Sequence, residues 1–175
     1  SFPTRRSSDL ETGNLAEIIA TKSVVGVTTN PAIFAAAMSH GTAYDAQIAE
    51  LKAAGTSADH AVYAMSIADV QAACDLFADI YAASGGKDGR VSIEVDPRIS
   101  EDTDATLAQA KELWRTVNRP NVMIKIPATP GSLPAVTAAL AEGISVNVTL
   151  IFSVVRYREV INAFLDGINQ AQAIG

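Results

Sequence analysis

The stretch Asn121-Val122-Met123-Ile124-Lys125-Ile126-Pro127-Ala128-Thr129 decides the fold, because it places a lysine inside an apolar run typical of a buried strand. Lysine is among the residue types least often fully buried. Burial strips water from an ammonium group and favours the neutral amine, a nucleophile that forms Schiff bases with carbonyl substrates. The alternative is an edge-strand lysine whose charged head reaches water along its own stem. Lys125 is therefore the first candidate catalytic residue.

Three further runs have the pattern of strands, at residues 26–31, 90–97 and 144–150. Side chains alternate between the two faces of a strand, so each run has two faces. In the last two runs the apolar face carries Val91, Ile93, Val95, Val146, Val148 and Leu150, and the polar face carries Ser92, Glu94, Asp96, Ser145, Asn147 and Thr149. Residues 26–31 alternate less cleanly because Thr29 breaks the pattern, but Thr28 and Asn30 share a face.

The segments between these runs have helical spacing of apolar residues, which predicts helices over residues 57–84, 103–118, 131–142 and 153–172. Strands alternating with helices imply parallel strands with right-handed crossovers. A doubly wound sheet would need both strand faces apolar, whereas the polar second face suits the lumen of a closed barrel. We therefore expect an α/β fold, a partial (β/α)8 TIM barrel with about four of its eight strands present.

Four motifs on these strands carry a family resemblance. They are Gly26-Val27-Thr28-Thr29-Asn30-Pro31, Val91-Ser92-Ile93-Glu94-Val95-Asp96, Ile124-Lys125-Ile126-Pro127-Ala128-Thr129 and Asn147-Val148-Thr149-Leu150. Each motif alone is weak, but four in this order, each on its own strand, are specific. The chain resembles transaldolase, the Schiff-base-forming barrel enzyme of the pentose phosphate pathway, from about Glu11 onward. Other class I Schiff-base aldolases, such as fructose-6-phosphate aldolase, share the barrel and the strand lysine and form the alternative.

The resemblance and the chemistry of the residues together imply a mechanism. Lys125 would attack a ketose phosphate such as sedoheptulose 7-phosphate, and the resulting iminium would allow a dihydroxyacetone unit to pass to glyceraldehyde 3-phosphate. Glu94 would shuttle protons, or else serve only as an ion-pair partner of Lys125. Thr149 would position a water molecule. The remaining expected contacts are to substrate hydroxyls, from Asn30 and Asn147 with assistance from Thr28.

The length of the chain indicates a fragment. Its 175 residues are fewer than the roughly 250 of an eight-stranded barrel. Residues 1–10 match one reading frame of a sequencing adapter and are expected to be non-native; a targeting peptide is the competing interpretation, but they lack an apolar stretch of the required length. Residues 11–175 would then be a truncated barrel domain, inactive alone. By the resemblance, a catalytic aspartate and phosphate-binding arginines belong to missing strands.

The composition of the chain limits the classes of binding partner that we expect. The net charge of −6 argues against a nucleic-acid surface, and no run approaches the roughly 18 apolar residues of a membrane span. Cys74 is the single cysteine and is expected to be a buried core thiol, and His40 and His60 have no partners at metal-ligand spacing. We expect a cytoplasmic enzyme that acts on sugar phosphates without a metal or cofactor, and the sequence leaves its oligomeric state open. A ligand-binding module with Lys125 as a charge partner is the non-enzymatic alternative.

Overall fold

The computed structural model describes residues 14–29 and 44–174. Residues 1–10, Asn30 and His40 lie outside these ranges, so the predictions about them stay predictions. The described residues form two compact units: one contains residues up to Ile93 together with 119–121, and the other contains residues 94–118 and 122–174.

Four parallel strands form one sheet in the order β1-β2-β3-β4. Each lies within a predicted run and is shorter than it. The strands are β1 (Gly26–Thr28), β2 (Arg90–Glu94), β3 (Val122–Pro127) and β4 (Val146–Thr149). The prediction of parallel strands in an α/β fold is confirmed.

Seven α-helices occur within the described ranges, and they separate the strands as expected for parallel crossovers. A single 3₁₀ turn, Pro97–Ile99, follows β2. The helices are α1 (Asn14–Lys22), α2 (Asp45–Ala53), α3 (Ala58–Leu76), α4 (Ala78–Ala83), α5 (Thr103–Val117), α6 (Leu133–Ala141) and α7 (Val154–Ile174).

The first unit pairs β1 with β2 in a close register. Gly26 lies opposite Arg90, and a Cβ atom at Gly26 would stand 2.7 Å from the Arg90 carbonyl oxygen. Glycine therefore lets the two backbones approach each other at this point. The buried Asn121 amide donates to the carbonyl oxygens of Cys74 and Gly89, both at 2.9 Å, which ties the segment before β3 to α3 and to the residue before β2.

The helix predicted over residues 57–84 is in fact two helices, α3 and α4. The predicted start is confirmed, because the Ser57 hydroxyl accepts a hydrogen bond from the His60 backbone N–H and caps α3. Phe77 separates the two helices, with φ −93° and ψ 0°, and its side chain is fully buried. The helix is interrupted at Phe77, where the side chain packs into the core, and the spacing of apolar residues alone does not reveal this interruption. Gly85 and Gly86 follow α4 with positive φ, as the predicted stop requires.

The second unit pairs β3 with β4 and packs helices against them. Helices α5 and α6 contact β3 and β4 respectively, and α6 also packs against α7. At the contact between α6 and α7, a Cβ on Gly167 would lie 2.7 Å from the Leu140 Cβ, so the glycine permits close helix packing. The fully buried apolar side chains of this unit include Val95, Leu113, Val117, Val122, Ile124, Ile126 and Val136.

Leu150 departs from the predicted alternation. The run 144–150 placed Leu150 on the apolar face with Val146 and Val148, but β4 ends at Thr149. Leu150 has φ +60° and is exposed. A left-handed residue cannot continue an extended strand, so the chain turns one residue earlier than the pattern predicts.

Candidate active site

Lys125 lies on β3 and is only 9% exposed. Its Nζ donates to Oε2 of Glu94 at 3.1 Å, and the two side chains are 11% and 12% exposed. The edge-strand alternative, in which the ammonium group reaches bulk water, does not fit this burial. Lys125 instead forms a nearly buried pair with a carboxylate, within the reach that proton transfer needs.

Glu94 owes its position to its place as the last residue of β2. The next residue, Val95, donates its backbone N–H to the Lys125 carbonyl oxygen at 3.1 Å. This bond joins the end of β2 to the middle of β3, so that the carboxylate and the amine come from adjacent strands. Both expectations for Glu94, as an ion-pair partner and as a proton carrier, agree with this geometry.

Two polar side chains on β4 complete the group. Asn147 is the register partner of Lys125, and Thr149 is the register partner of Pro127. Laterally paired residues of neighbouring strands project from the same face, so Asn147 lies beside Lys125, with Thr149 two residues further along the same face. The structure thus brings together four of the six predicted site residues, all in the second unit.

The Thr149 hydroxyl oxygen is the one buried side-chain polar atom among the described residues that lacks a hydrogen-bond partner. Buried hydroxyl groups are normally paired, because an unpaired one costs about 1–3 kcal/mol. An unpaired hydroxyl close to a lysine–carboxylate pair is suited to hold a water molecule or a substrate oxygen. This is the role predicted for Thr149.

The structure does not test the contacts predicted for Thr28 and Asn30. Thr28 ends β1 in the first unit, where it is exposed and is the register partner of Ser92. Asn30 lies outside the described residues. The substrate contacts expected of both stay predictions.

A hydrogen-bond cluster that sequence reasoning missed ties together the loops that follow β2 and β3. The Ser100 carbonyl oxygen accepts from the Thr129 hydroxyl and, at 2.6 Å, from the Ser132 hydroxyl. The Ser132 backbone N–H in turn donates to the Thr129 hydroxyl oxygen at 3.1 Å, and Thr103 donates to the Gly131 carbonyl oxygen at 2.6 Å. Because these loops extend the strands that carry Glu94 and Lys125, the cluster helps to hold that pair in place. The hydroxyl residues are visible in the sequence, but their shared acceptor is not.

Asp96 is a turn residue and not part of β2. Its carboxylate accepts the Arg98 backbone N–H at 2.9 Å and pairs with the Arg98 guanidinium at 2.5 Å, so that it caps the 3₁₀ turn. The side-chain hydrogen bonds from Arg98 lower the pKa of the Asp96 carboxyl despite some desolvation. A carboxylate committed to its own turn is a poor proton carrier for Lys125.

Cys74 is buried, which confirms its prediction as a core thiol. Burial, reinforced by the negative charge of Asp75, raises the pKa of this thiol to about 12. The thiolate is the nucleophilic form, so Cys74 is inert near neutral pH.

Within the described part of the chain, no group of three or more His, Cys, Asp or Glu side chains is arranged to hold a metal ion. His60 is exposed, and its Nδ1 lies 2.7 Å from the Ser57 hydroxyl at the start of α3.

No helix within residues 14–29 or 44–174 combines the length and the apolar character needed to cross a membrane.

Parallel strands joined by helices, with polar side chains grouped on one face of β2, β3 and β4, define an α/β protein with a candidate active site on its strands. The sequence model of the transaldolase/fructose-6-phosphate aldolase family matches residues 9–174. The chain belongs to this family. Its fold is the TIM barrel, which confirms the prediction of a partial barrel.

Proteins named transaldolase are close relatives of the chain. The transaldolase of Mycolicibacterium smegmatis is 61% identical over 166 residues, which cover 95% of this chain and 45% of the relative. A Mycobacterium leprae transaldolase is 63% identical, and transaldolase 1 of Streptomyces coelicolor is 60% identical, over 166 residues that cover 44% of each. The chain therefore spans slightly less than half the length of these relatives.

Proposed function

We propose that the polypeptide carrying this sequence is a transaldolase that transfers a dihydroxyacetone unit from a ketose phosphate to an aldose phosphate. The observation that carries the proposal is the nearly buried Lys125 amine, 3.1 Å from the Glu94 carboxylate. The relatives named transaldolase support the transfer reaction. Its proposed donor is sedoheptulose 7-phosphate, its proposed acceptor is glyceraldehyde 3-phosphate, and its proposed location is the cytoplasm.

The first chemical step is addition of the lysine to the substrate. A proton passes from Lys125 Nζ to Glu94, and the neutral amine then attacks the ketone carbon to form a carbinolamine. Glu94 returns its proton to the carbinolamine hydroxyl, which leaves as water, and an iminium ion remains. Thr149 holds this water through its buried hydroxyl.

The second step is cleavage and transfer. The bond between the third and fourth carbons breaks as the fourth-carbon hydroxyl gives its proton to the catalytic aspartate that the family resemblance implies, and the electron pair moves into the iminium to give an enamine. The first aldehyde departs, and the enamine carbon then attacks the carbonyl carbon of the acceptor aldehyde, whose oxygen takes the proton back from the same aspartate. Water then adds to the re-formed iminium with the help of Glu94, which releases the new ketose phosphate and the Lys125 amine. Asn147, beside Lys125 in the register of β3 and β4, hydrogen-bonds the hydroxyls of the three-carbon unit during the exchange. Asn30 and Thr28 are proposed as further contacts to these hydroxyls.

Borohydride trapping tests the nucleophile. Borohydride reduces an iminium to a stable secondary amine, so a trapped ketose adds a defined mass to one lysine. A suitable full-length background is a chimera in which the 166 aligned residues of this chain replace their counterparts in the M. smegmatis transaldolase, hereafter the chimeric transaldolase. We expect one adduct, located on Lys125 by peptide mass spectrometry, and neither adduct nor transfer activity in Lys125→Ala.

Lys111→Ala is the matched control. Lys111 pairs with Glu142 outside the grouped site residues, so its loss should leave trapping and transfer unchanged. An adduct that persists on another lysine in the Lys125→Ala protein would show that the nucleophile is misassigned.

The family description also names fructose-6-phosphate aldolase, which makes aldol cleavage without transfer the second candidate. Incubation with fructose 6-phosphate and no acceptor separates the two. Sustained release of free dihydroxyacetone would favour the aldolase, whereas a single turnover that resumes only when an acceptor aldehyde is added would favour transfer.

A further inference from the structure

The backbone N–H of Asp96 donates to a side chain of helix α5. Its acceptor is Gln109 Oε1, at 2.7 Å, and the bond is partly buried. Asp96 lies two residues after Glu94, the last residue of β2. A backbone N–H that is withdrawn from water needs a partner, and here the partner is a side-chain amide instead of a neighbouring strand.

The spacing of residues on α5 brings Gln109 to this strand end. Thr106, Ala110 and Leu113 are buried on the packed face of the helix, and Gln109 comes three residues after Thr106 and four before Leu113. Residues three and four apart are neighbours on a helix surface, so Gln109 borders the packed face. Thr106 binds the same loop further along, because its hydroxyl donates to the Ile99 carbonyl oxygen at 3.0 Å.

The two backbone N–H groups that follow Glu94 therefore bond to different elements. Val95 donates to the Lys125 carbonyl oxygen on β3 at 3.1 Å, and Asp96 donates to Gln109 on α5. The first bond joins β2 to the strand that carries Lys125, and the second fixes where the end of β2 lies against the helix. Glu94 stands immediately before both bonds.

The pair of Glu94 and Lys125 has little tolerance for movement of this strand end. Its 3.1 Å separation is close to the upper limit of about 3.2 Å for direct proton transfer. The Asp96 carboxylate does not tie the strand end to another element, because it bonds to Arg98 within its own turn. The hydrogen bond to Gln109 supplies that tie.

We propose that Gln109 is a positioning residue, which holds the end of β2 so that Glu94 stays within proton-transfer distance of Lys125. This role rests on the proposed function, since Gln109 acts only through the proton that Glu94 carries.

Two substitutions separate the hydrogen bond from the rest of the side chain. Gln109→Met keeps the length and the helix propensity but removes the acceptor, whereas Gln109→Glu keeps an acceptor oxygen at the same reach. Thr137→Val is the matched control, because it removes a partly buried hydrogen bond elsewhere, from the Thr137 hydroxyl to the Ala163 carbonyl oxygen between α6 and α7.

Site-resolved amide hydrogen exchange in the chimeric transaldolase tests the contact without reference to activity. In Gln109→Met the Asp96 amide should exchange about 3–10-fold faster than in the unsubstituted protein, the equivalent of one net hydrogen bond. Gln109→Glu should restore the slow exchange, and Thr137→Val should leave it unchanged. Equally slow exchange in Gln109→Met would show that Gln109 does not hold the strand end, and would overturn the assignment.

A double-substitution cycle tests whether Gln109 acts through Glu94. With Glu94 present, Gln109→Met should slow adduct formation on Lys125 in borohydride trapping by about 3–10-fold, with little change in its dependence on ketose concentration. Gln109→Glu should restore the rate, and Thr137→Val should not change it. In a Glu94→Gln background, Gln109→Met should change the rate by less than about twofold, because the proton carrier is already absent.

A residue with only a structural role would slow trapping equally in both backgrounds, and that result would overturn the assignment of Gln109. Failure of the proposed function gives a different result. If the unsubstituted chimeric transaldolase forms no adduct on Lys125, the nucleophile itself is refuted; if the adduct forms and the losses are equal in both backgrounds, only the role of Gln109 is refuted.

Discussion

Replacement of Glu94 by glutamine is the sharpest test of the site chemistry. Glutamine keeps the size of the side chain and a carbonyl oxygen that can accept from Lys125, but it cannot take up or return a proton. If Glu94 shuttles protons, Schiff-base formation and hydrolysis should slow while ketose binding stays largely unchanged. If Glu94 is only an ion-pair partner, the chemical steps should change little.

The expected loss of rate in Glu94→Gln follows from the distance between Glu94 and Lys125. At 3.1 Å, Glu94 Oε2 already lies within direct proton-transfer reach of Lys125 Nζ, so the full contribution of general acid–base catalysis should be lost. That contribution is a factor of about 10²–10⁴, equivalent to about 3–5.5 kcal/mol in the barrier. Glu94→Asp retracts the carboxylate by about 1.5 Å, one carbon–carbon bond, and should give an intermediate loss because a bridging water can still relay the proton.

Rapid-quench borohydride trapping in the chimeric transaldolase measures the step itself, since it follows adduct formation on Lys125 against time. The dependence of the trapping rate on ketose concentration separates binding from chemistry. Glu112→Gln, on the exposed side of α5, is the matched control and should be unaffected. Trapping rates for Glu94→Gln within about threefold of the unsubstituted protein, far below the expected loss, would move the proton-shuttle role to another group.

Three further predictions concern hydroxyl and thiol groups. Thr149→Val should lower the rate of carbinolamine dehydration by about 3–10-fold, as expected for the loss of one neutral hydrogen bond. The Tm should rise or stay constant, because the substitution removes a buried hydroxyl that has no partner; a fall in Tm would show that the hydroxyl is hydrogen-bonded in the folded protein. Ser132→Ala removes one of the two hydroxyl groups that donate to the Ser100 carbonyl oxygen, so it should lower the free energy of unfolding by about 0.5–1.5 kcal/mol in urea unfolding. In steady-state kinetics it should lower kcat with little change in KM. Near pH 8, Cys74 should be alkylated about 10³-fold more slowly in the folded protein than in urea, because its pKa is about 12 in the folded state against 9.0 as a free thiol. The stability that the neutral thiol contributes should be complete below about pH 9 and should be lost as the pH rises toward 12. Rapid alkylation of the folded protein would show that the thiol is accessible.

Local patterns in the sequence were sufficient to predict the four strands and most of the helices, and to select candidate site residues. Period-two alternation predicts β2 and β4, and the apolar run around Lys125 predicts β3, because a strand half-buried or buried against helices must show these patterns. The parallel arrangement follows from helices between strands, since a parallel pair cannot be closed by a short turn. Lys125 could be selected because a charged residue in an otherwise apolar strand is costly unless it is paired or functional. Glu94 could be selected because it lies on the polar face of a second strand and can carry a proton.

Only the tertiary structure determined the distances between the site residues and which buried hydroxyl groups have hydrogen-bond partners. The 3.1 Å contact between Lys125 and Glu94 depends on how the end of β2 meets β3, which residues 31 positions apart cannot specify locally. The unpaired Thr149 hydroxyl, like the shared Ser100 acceptor, is a property of the surroundings and not of residue type. The early end of β4 at Leu150 and the break at Phe77 were missed for the same reason. Hydrophobic periodicity reports which face of an element is buried, whereas register, loop contacts and packing partners are set by residues far away in the chain.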